Sequence, residues 1–137
     1  MIASPFKIAL AAALLLQACA AVPTALESHN GAVGPAVFRR VLAETPGTTL
    51  IVDVRSGGEH AEGAPRSSIN IPIKSLAERL DSLPNDRPVV FYCDSGIRAH
   101  RAFNLAHARR PQLKVYWLDA YSTCSRDGSC VVEPRTH

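Results

Sequence analysis

Two runs constrain the fold more than anything else in the chain. Thr49-Leu50-Ile51-Val52-Asp53-Val54 and Pro88-Val89-Val90-Phe91-Tyr92 are almost continuously apolar and rich in β-branched residues. A strand with one face in water alternates apolar and polar side chains, so an uninterrupted run marks a strand covered on both faces. Ser68 to Ile71, ended by Pro72, and Leu113 to Leu118 make two further short strands. Between the strands the period changes. From Pro35 to Glu44, Val37, Val41 and Leu42 share one side, with a proline in the first turn and Pro46-Gly47 as the stop. Leu76, Leu80 and Leu83 recur at helical spacing from Ser75 to Leu83. Ala99, Ala102, Phe103 and Ala106 mark one face of a helix from Ile97 to Arg110. Strands separated by helices, with few hairpin signals, predict an α/β fold in which a mostly parallel sheet is covered by helices on both faces.

The size of the chain narrows what such a sheet can serve. With 137 residues, 47% of them hydrophobic and 20% charged, there is material for one core, which excludes a multidomain enzyme and a disordered chain. The net charge of +3 comes from scattered residues rather than a basic stripe, so nucleic acid is not an expected partner. No feature of the sequence names a protein partner.

The first residues read as an export signal rather than as part of the domain. Lys7 precedes an unbroken apolar run from Ile8 to Leu16. That run is far shorter than the ~20 residues needed to cross a bilayer and has the length of a signal-peptide core. Leu16-Gln17-Ala18-Cys19 resembles the bacterial lipobox, which implies removal of residues 1–18 and a lipid anchor on Cys19. Ala20 stands where an inner-membrane retention signal would be Asp, so in a Gram-negative cell the resemblance implies the outer membrane. The rival reading is ordinary cleavage at Ala18-Cys19-Ala20, which would discard Cys19 and leave a soluble periplasmic protein; fatty-acid labelling separates the two. Residues 19–34 are small, polar and broken by proline and glycine, as in a tether with little structure of its own. The domain is then expected at 35–121, with a tail at 122–137.

In open parallel sheets ligands sit beyond the carboxyl ends of the strands, which points to Cys93. It follows a buried strand directly, and Cys93-Asp94-Ser95-Gly96-Ile97-Arg98 leads into a helix. Backbone N–H groups can converge on a sulfur held there, a helix N-terminus favours its anionic, nucleophilic form, and Gly96 lets the loop curl. Arg98 adds a cation at the rim. The ordinary alternative is a packing cysteine, since free cysteine is among the most buried residue types. His100 and His107 lie on the same helix, but no cysteine or carboxylate completes a metal site, and they read as surface residues. No metal ligand set is expected elsewhere.

Four pieces in order resemble the rhodanese homology domain, and most closely its single-domain exported members. Ile51-Val52-Asp53-Val54-Arg55 resembles the family's first strand signature, and Glu59 matches the acidic residue after it. Gly63 through Ile69-Asn70-Ile71-Pro72 resembles the stretch that ends in Asn-Ile-Pro. Cys93 to Arg98 resembles the catalytic Cys-x-x-Gly-x-Arg loop. The resemblance covers about Pro35 to Leu118. It implies about five parallel strands with flanking helices, and a cysteine that cycles through a persulfide without metal or organic cofactor. The implied activity is sulfur transfer from a donor such as thiosulfate to cyanide or a thiol, with the amides of Asp94, Ser95, Gly96, Ile97 and Arg98 holding the persulfide and Arg98 meeting the donor. Asp53, Arg55 and Glu59 are then support for the loop. Four residues separate Cys93 from Arg98, one fewer than in the phosphatases of the same fold family, and the tighter ring suits a single added sulfur.

Departures qualify the implied substrate. Asp94 stands where many thiosulfate-using members carry Arg or Lys, and a carboxylate there repels a dianion. Ala64, His60 and Asp119-Ala120-Tyr121 also depart from the pattern and make a bulkier rim. The second reading is therefore a non-catalytic binding or sulfur-sensing module of the cell envelope. Cys124 and Cys130 flank Ser125-Arg126-Asp127-Gly128-Ser129, a turn that can bring the two sulfurs together in an oxidising compartment. A structural disulfide is one reading; a resolving thiol that attacks a Cys93 persulfide is the other.

Overall fold

The computed structural model describes residues 25–44 and 47–136. Its centre is a five-stranded parallel sheet in the order β1-β5-β4-β2-β3, built from β1 (Ala32–Val33), β2 (Leu50–Asp53), β3 (Ile69–Asn70), β4 (Val89–Tyr92) and β5 (Val115–Leu118). The two runs of continuous apolar sequence are the inner strands β2 and β4. Every residue of β4 is buried, because helices or a hairpin cover both of its faces.

Alternation along the strands divides the core in two. Val52, Val89, Phe91 and Cys93 point to one face and pack with Leu76, Ala99, Ala102 and Ala106 from α3 (Ile73–Arg79) and α4 (Ile97–Arg109). The alanines let α4 lie close against the sheet. Ile51, Val90, Tyr92 and Leu118 point to the other face and pack with Phe38 and Val41 of α1 (Pro35–Ala43) and with Val132. A single 3₁₀ turn, Leu80–Ser82, continues α3 past Leu80 and ends just before Leu83, the last of the periodic leucines.

Three elements differ from the sequence-based expectation. The expected tether, residues 19–34, includes β1: Ala32 and Val33 pair with Trp117 and Leu118, and Val33 is fully buried. Two residues carry no period, so only the waiting edge of β5 makes them a strand. A short helix, α2 (Gly57–Glu62), follows β2. Ser56 caps it, accepting from the Glu59 amide while the Glu59 carboxylate accepts from the Ser56 amide, and the two exchanged bonds start a helix that lacks an apolar stripe. The expected tail, residues 122–137, is the larger part of an antiparallel hairpin, β6 (Ala120–Cys124) and β7 (Cys130–Pro134), that places Val132 against Phe38 and Val41 of α1. A disulfide joins Cys124 and Cys130, which face each other in the register. Residues 1–18 and Cys19, with their expected signal and lipid anchor, lie outside the described residues.

Candidate active site

At the carboxyl end of β4 the chain leaves the sheet at Cys93 and turns into α4. Gly96 makes the turn with φ of 83°, the left-handed region that side-chain-bearing residues avoid. This curl brings two backbone amides onto the cysteine. The N–H of Gly96 donates to Cys93 Sγ at 3.1 Å and that of Ala99 at 3.4 Å. Cys93 is a free cysteine with no exposed surface, seated among the residues of the α3–α4 core. Of the residues expected to present amides to the sulfur, Gly96 does so in this arrangement. Ala99, one turn into the helix, was not among them, although its small side chain on the sheet face of α4 brings its backbone close.

The rim of the loop is charged and paired. Arg98 lays its guanidinium against Glu59, with Nη1 and Nη2 each 2.9 Å from a carboxylate oxygen, and Nη2 also donates to Asp94 at 3.1 Å. The Arg98 bond holds the Glu59 carboxyl far below its ordinary range, at about 2, helped by the Ser56 amide. Glu59 and Asp94 in turn raise Arg98 well above its ordinary value against the effect of burial. Arg98 was expected to meet an anionic donor; here its fork is taken by two carboxylates of its own chain. Ser95 is half-buried, and Ile97 is exposed at 52%.

Behind the rim lies a buried brace. Asp53, at the end of β2, has no exposed surface and receives Arg55 through both oxygens, Nε at 3.0 Å and Nη2 at 2.8 Å. The same Nη2 donates to the carbonyl of Gly63 at 2.7 Å. His60 Nδ1 lies 2.9 Å from Asp53, and Asn70 donates to the carbonyls of Asp53 and Arg55. Burial works against the Arg55 charge, yet Asp53 more than offsets it and the arginine is raised above its ordinary value. Asp53 and Arg55 thus tie β2, α2 and β3 together below the loop, while Glu59 ties α2 to α4 above it.

A cavity of about 390 Å³ opens beside this rim, lined by Arg55, Glu59, Glu62, Asp94, Ser122 and Cys124 among others. A larger one, about 440 Å³, lies at the amino end of β5 around Gly31, Phe103 and His107, away from Cys93. His100 and His107 are exposed but not idle: His100 lies on Trp117 with ring centres 4.4 Å apart, and His107 stacks on Phe103. The hairpin reaches the site as well, because the Ser122 amide donates to the carbonyl of Asp94 at 2.8 Å. The disulfide itself packs with the α1 core, on the side of the sheet opposite Cys93.

Comparison with known proteins agrees with this geometry. The sequence pattern of the rhodanese-like domain matches residues 38–120. A sulfurtransferase of Allochromatium vinosum is 38% identical over 61 residues, which make up 44% of this chain and 56% of that protein. The curated relatives are thus matched over less than two thirds of their own length. Among solved structures, the human single-domain sulfurtransferase TSTD1 superposes with a TM-score of 0.55 at 26% identity, covering 64% of this chain and 88% of its own. The Saccharomyces cerevisiae single-domain sulfurtransferase RDL2 gives a TM-score of 0.56 at 23% identity over 69% and 87%, a likeness of fold.

Proposed function

Because the chain belongs to the rhodanese-like domain family, we propose that it is a sulfurtransferase carrying a sulfane sulfur on Cys93 from a donor such as thiosulfate to cyanide or a thiol. The observation that carries this is the pair of amides, from Gly96 and Ala99, aimed at one free sulfur at the end of a central strand. Backbone donors held by a helix and a glycine turn cannot rotate away, so they receive negative charge without reorganisation.

In the first step the Cys93 thiolate attacks the outer sulfur of the donor. A Cys93–sulfur bond forms, the sulfur–sulfur bond of thiosulfate breaks, and sulfite leaves with the bonding electron pair. Cys93 keeps the sulfur as an anionic persulfide. In the second step cyanide, or a thiolate, attacks that terminal sulfur and the Cys93 thiolate is released. Neither step draws on Cys124 or Cys130, which are joined to each other in the opposite core. Together with the lipobox-like run before Cys19, this reading makes the protein an enzyme of the cell envelope.

Intact mass after incubation with thiosulfate, and in parallel with an alkyl persulfide, tests the proposal. The expected result is a gain of one sulfur atom that disappears on addition of cyanide and is absent in Cys93→Ser. No gain from either donor would sink it and leave a binding or sulfur-sensing module.

A further inference from the structure

Arg135 lies past the family match, directly after β7. Its side chain nonetheless reaches the Cys93 loop. A methyl group placed on Gly96 would stand 3.2 Å from Arg135 Nη1, 3.5 Å from its Cδ and 3.0 Å from the carbonyl oxygen of Leu118. Gly96 is the residue whose amide donates to Cys93 Sγ. A full positive charge therefore rests against the outside of the peptide that holds the sulfur.

The charged and titratable groups around the loop are few enough to weigh one by one. Asp94 belongs to the loop and Arg98 to α4; Glu59, His60 and Glu62 come from α2, Asp53 and Arg55 from β2 and its end, Tyr92 from β4, and Asp119 and Arg135 from the two ends of the hairpin. Arg55 is held by both oxygens of Asp53 and by Gly63, and Arg98 by both oxygens of Glu59 and by Asp94. Arg135 differs. Among the described residues its guanidinium makes one such bond, Nη1 to a single oxygen of Asp119 at 3.1 Å, and both side chains are about a quarter exposed, 25% and 27%. A guanidinium offers five N–H donors, so Arg135 can take an incoming oxyanion beside Asp119 or in exchange for it. The hairpin that presents it is fixed to the loop from the other side by the Ser122 bond to Asp94 and is closed by the disulfide.

We propose that Arg135 is a specificity-determining residue that receives the anionic end of the sulfur donor at the Cys93 loop. For its substrate class this rests on the sulfurtransferase reading: small sulfane donors whose leaving group bears a sulfonate, sulfinate or carboxylate.

Alkylation of Cys93 tests the charge independently of sulfur transfer. Iodoacetate and iodoacetamide attack the same thiolate, and differ in that the first carries a carboxylate. The ratio of their rate constants is measured on the folded, oxidised protein in the wild type, Arg135→Gln, Arg135→Lys and Asp119→Asn. Arg135→Gln is expected to lower the iodoacetate-to-iodoacetamide ratio about tenfold, Arg135→Lys to restore most of it, and Asp119→Asn to raise it by releasing the cation. An unchanged ratio in Arg135→Gln overturns the proposal. An equal fall in the Gln and Lys variants also overturns it, since the side chain would then be acting through packing. If the ratio behaves as expected but no donor adds sulfur to Cys93, the sulfurtransferase reading fails while the anion-receiving role of Arg135 stands.

Discussion

Asp94 sits on the exposed rim of the loop and carries the wrong sign for a dianionic donor, yet its carboxylate is not isolated. It accepts from Arg98 at 3.1 Å, so part of its field is spent on its own chain, and its carbonyl anchors the hairpin through Ser122. The remaining negative charge faces the cavity with Glu59 and Glu62. Asp94→Arg should therefore raise thiosulfate turnover at low donor concentration, by about three- to tenfold in kcat/KM at low ionic strength and less as salt screens the rim. Steady-state rates at two salt concentrations read this, and unchanged or lower turnover would count against the electrostatic account. The residue chemistry was largely legible beforehand because Cys93, Gly96 and Arg98 lie within six positions of one another. Arg98's engagement by Glu59 was not, because those two residues are 39 apart in the chain and only the pairing of β2 with β4 brings the helices that follow them to the same end of the sheet.

Between elements, that ion pair is the clearest pH-dependent joint. Glu59 ionises near 2 in the folded protein and near 4.5 when unpaired. A depressed carboxylate adds stability that is complete above its unfolded value and is lost as pH falls toward its folded one. The window is therefore about 4.5 down to 2. Both side chains are about a third exposed, so screening cuts the contribution to about 1 kcal/mol. Glu59→Gln should cost about that much at neutral pH and make the unfolding free energy less steep between pH 4.5 and 2 than in the wild type. Denaturant melts at several pH values measure it; parallel curves would remove the joint from the account. The elements that pattern revealed are the ones marked by contiguous residues, an apolar run, a helical period or a proline stop: β2, β3, β4, β5, α1, α3 and α4. Helix α2 has a capping box but no apolar stripe, and β1 has two residues, so their existence depends on partners elsewhere in the chain.

At the level of the whole molecule the hairpin β6–β7 completes the second core and locks the far end of the chain to the active-site loop. Val132 closes over Phe38 and Val41, and Arg39 of α1 donates to the Val132 carbonyl. The disulfide closes a short loop, so its chain-entropy contribution is at the low end, about 2 kcal/mol. Reducing it, or replacing both residues in Cys124→Ser/Cys130→Ser, should lower unfolding stability by about that amount while leaving the parallel sheet intact by circular dichroism. A loss of the sheet signal would show instead that the hairpin is needed for the core to form. The sequence by itself determined the parallel α/β class, the inner strands and the cysteine loop, because each is written in contiguous residues whose period or spacing is a local property. The tertiary structure decided the rest: the edge strand, the face of the sheet on which each cysteine lies, the carboxylates that occupy Arg98 and the return of Arg135 to the loop. Those depend on long-range pairing, and backbone hydrogen bonds and charges find partners by position in space, which separation along a chain does not encode.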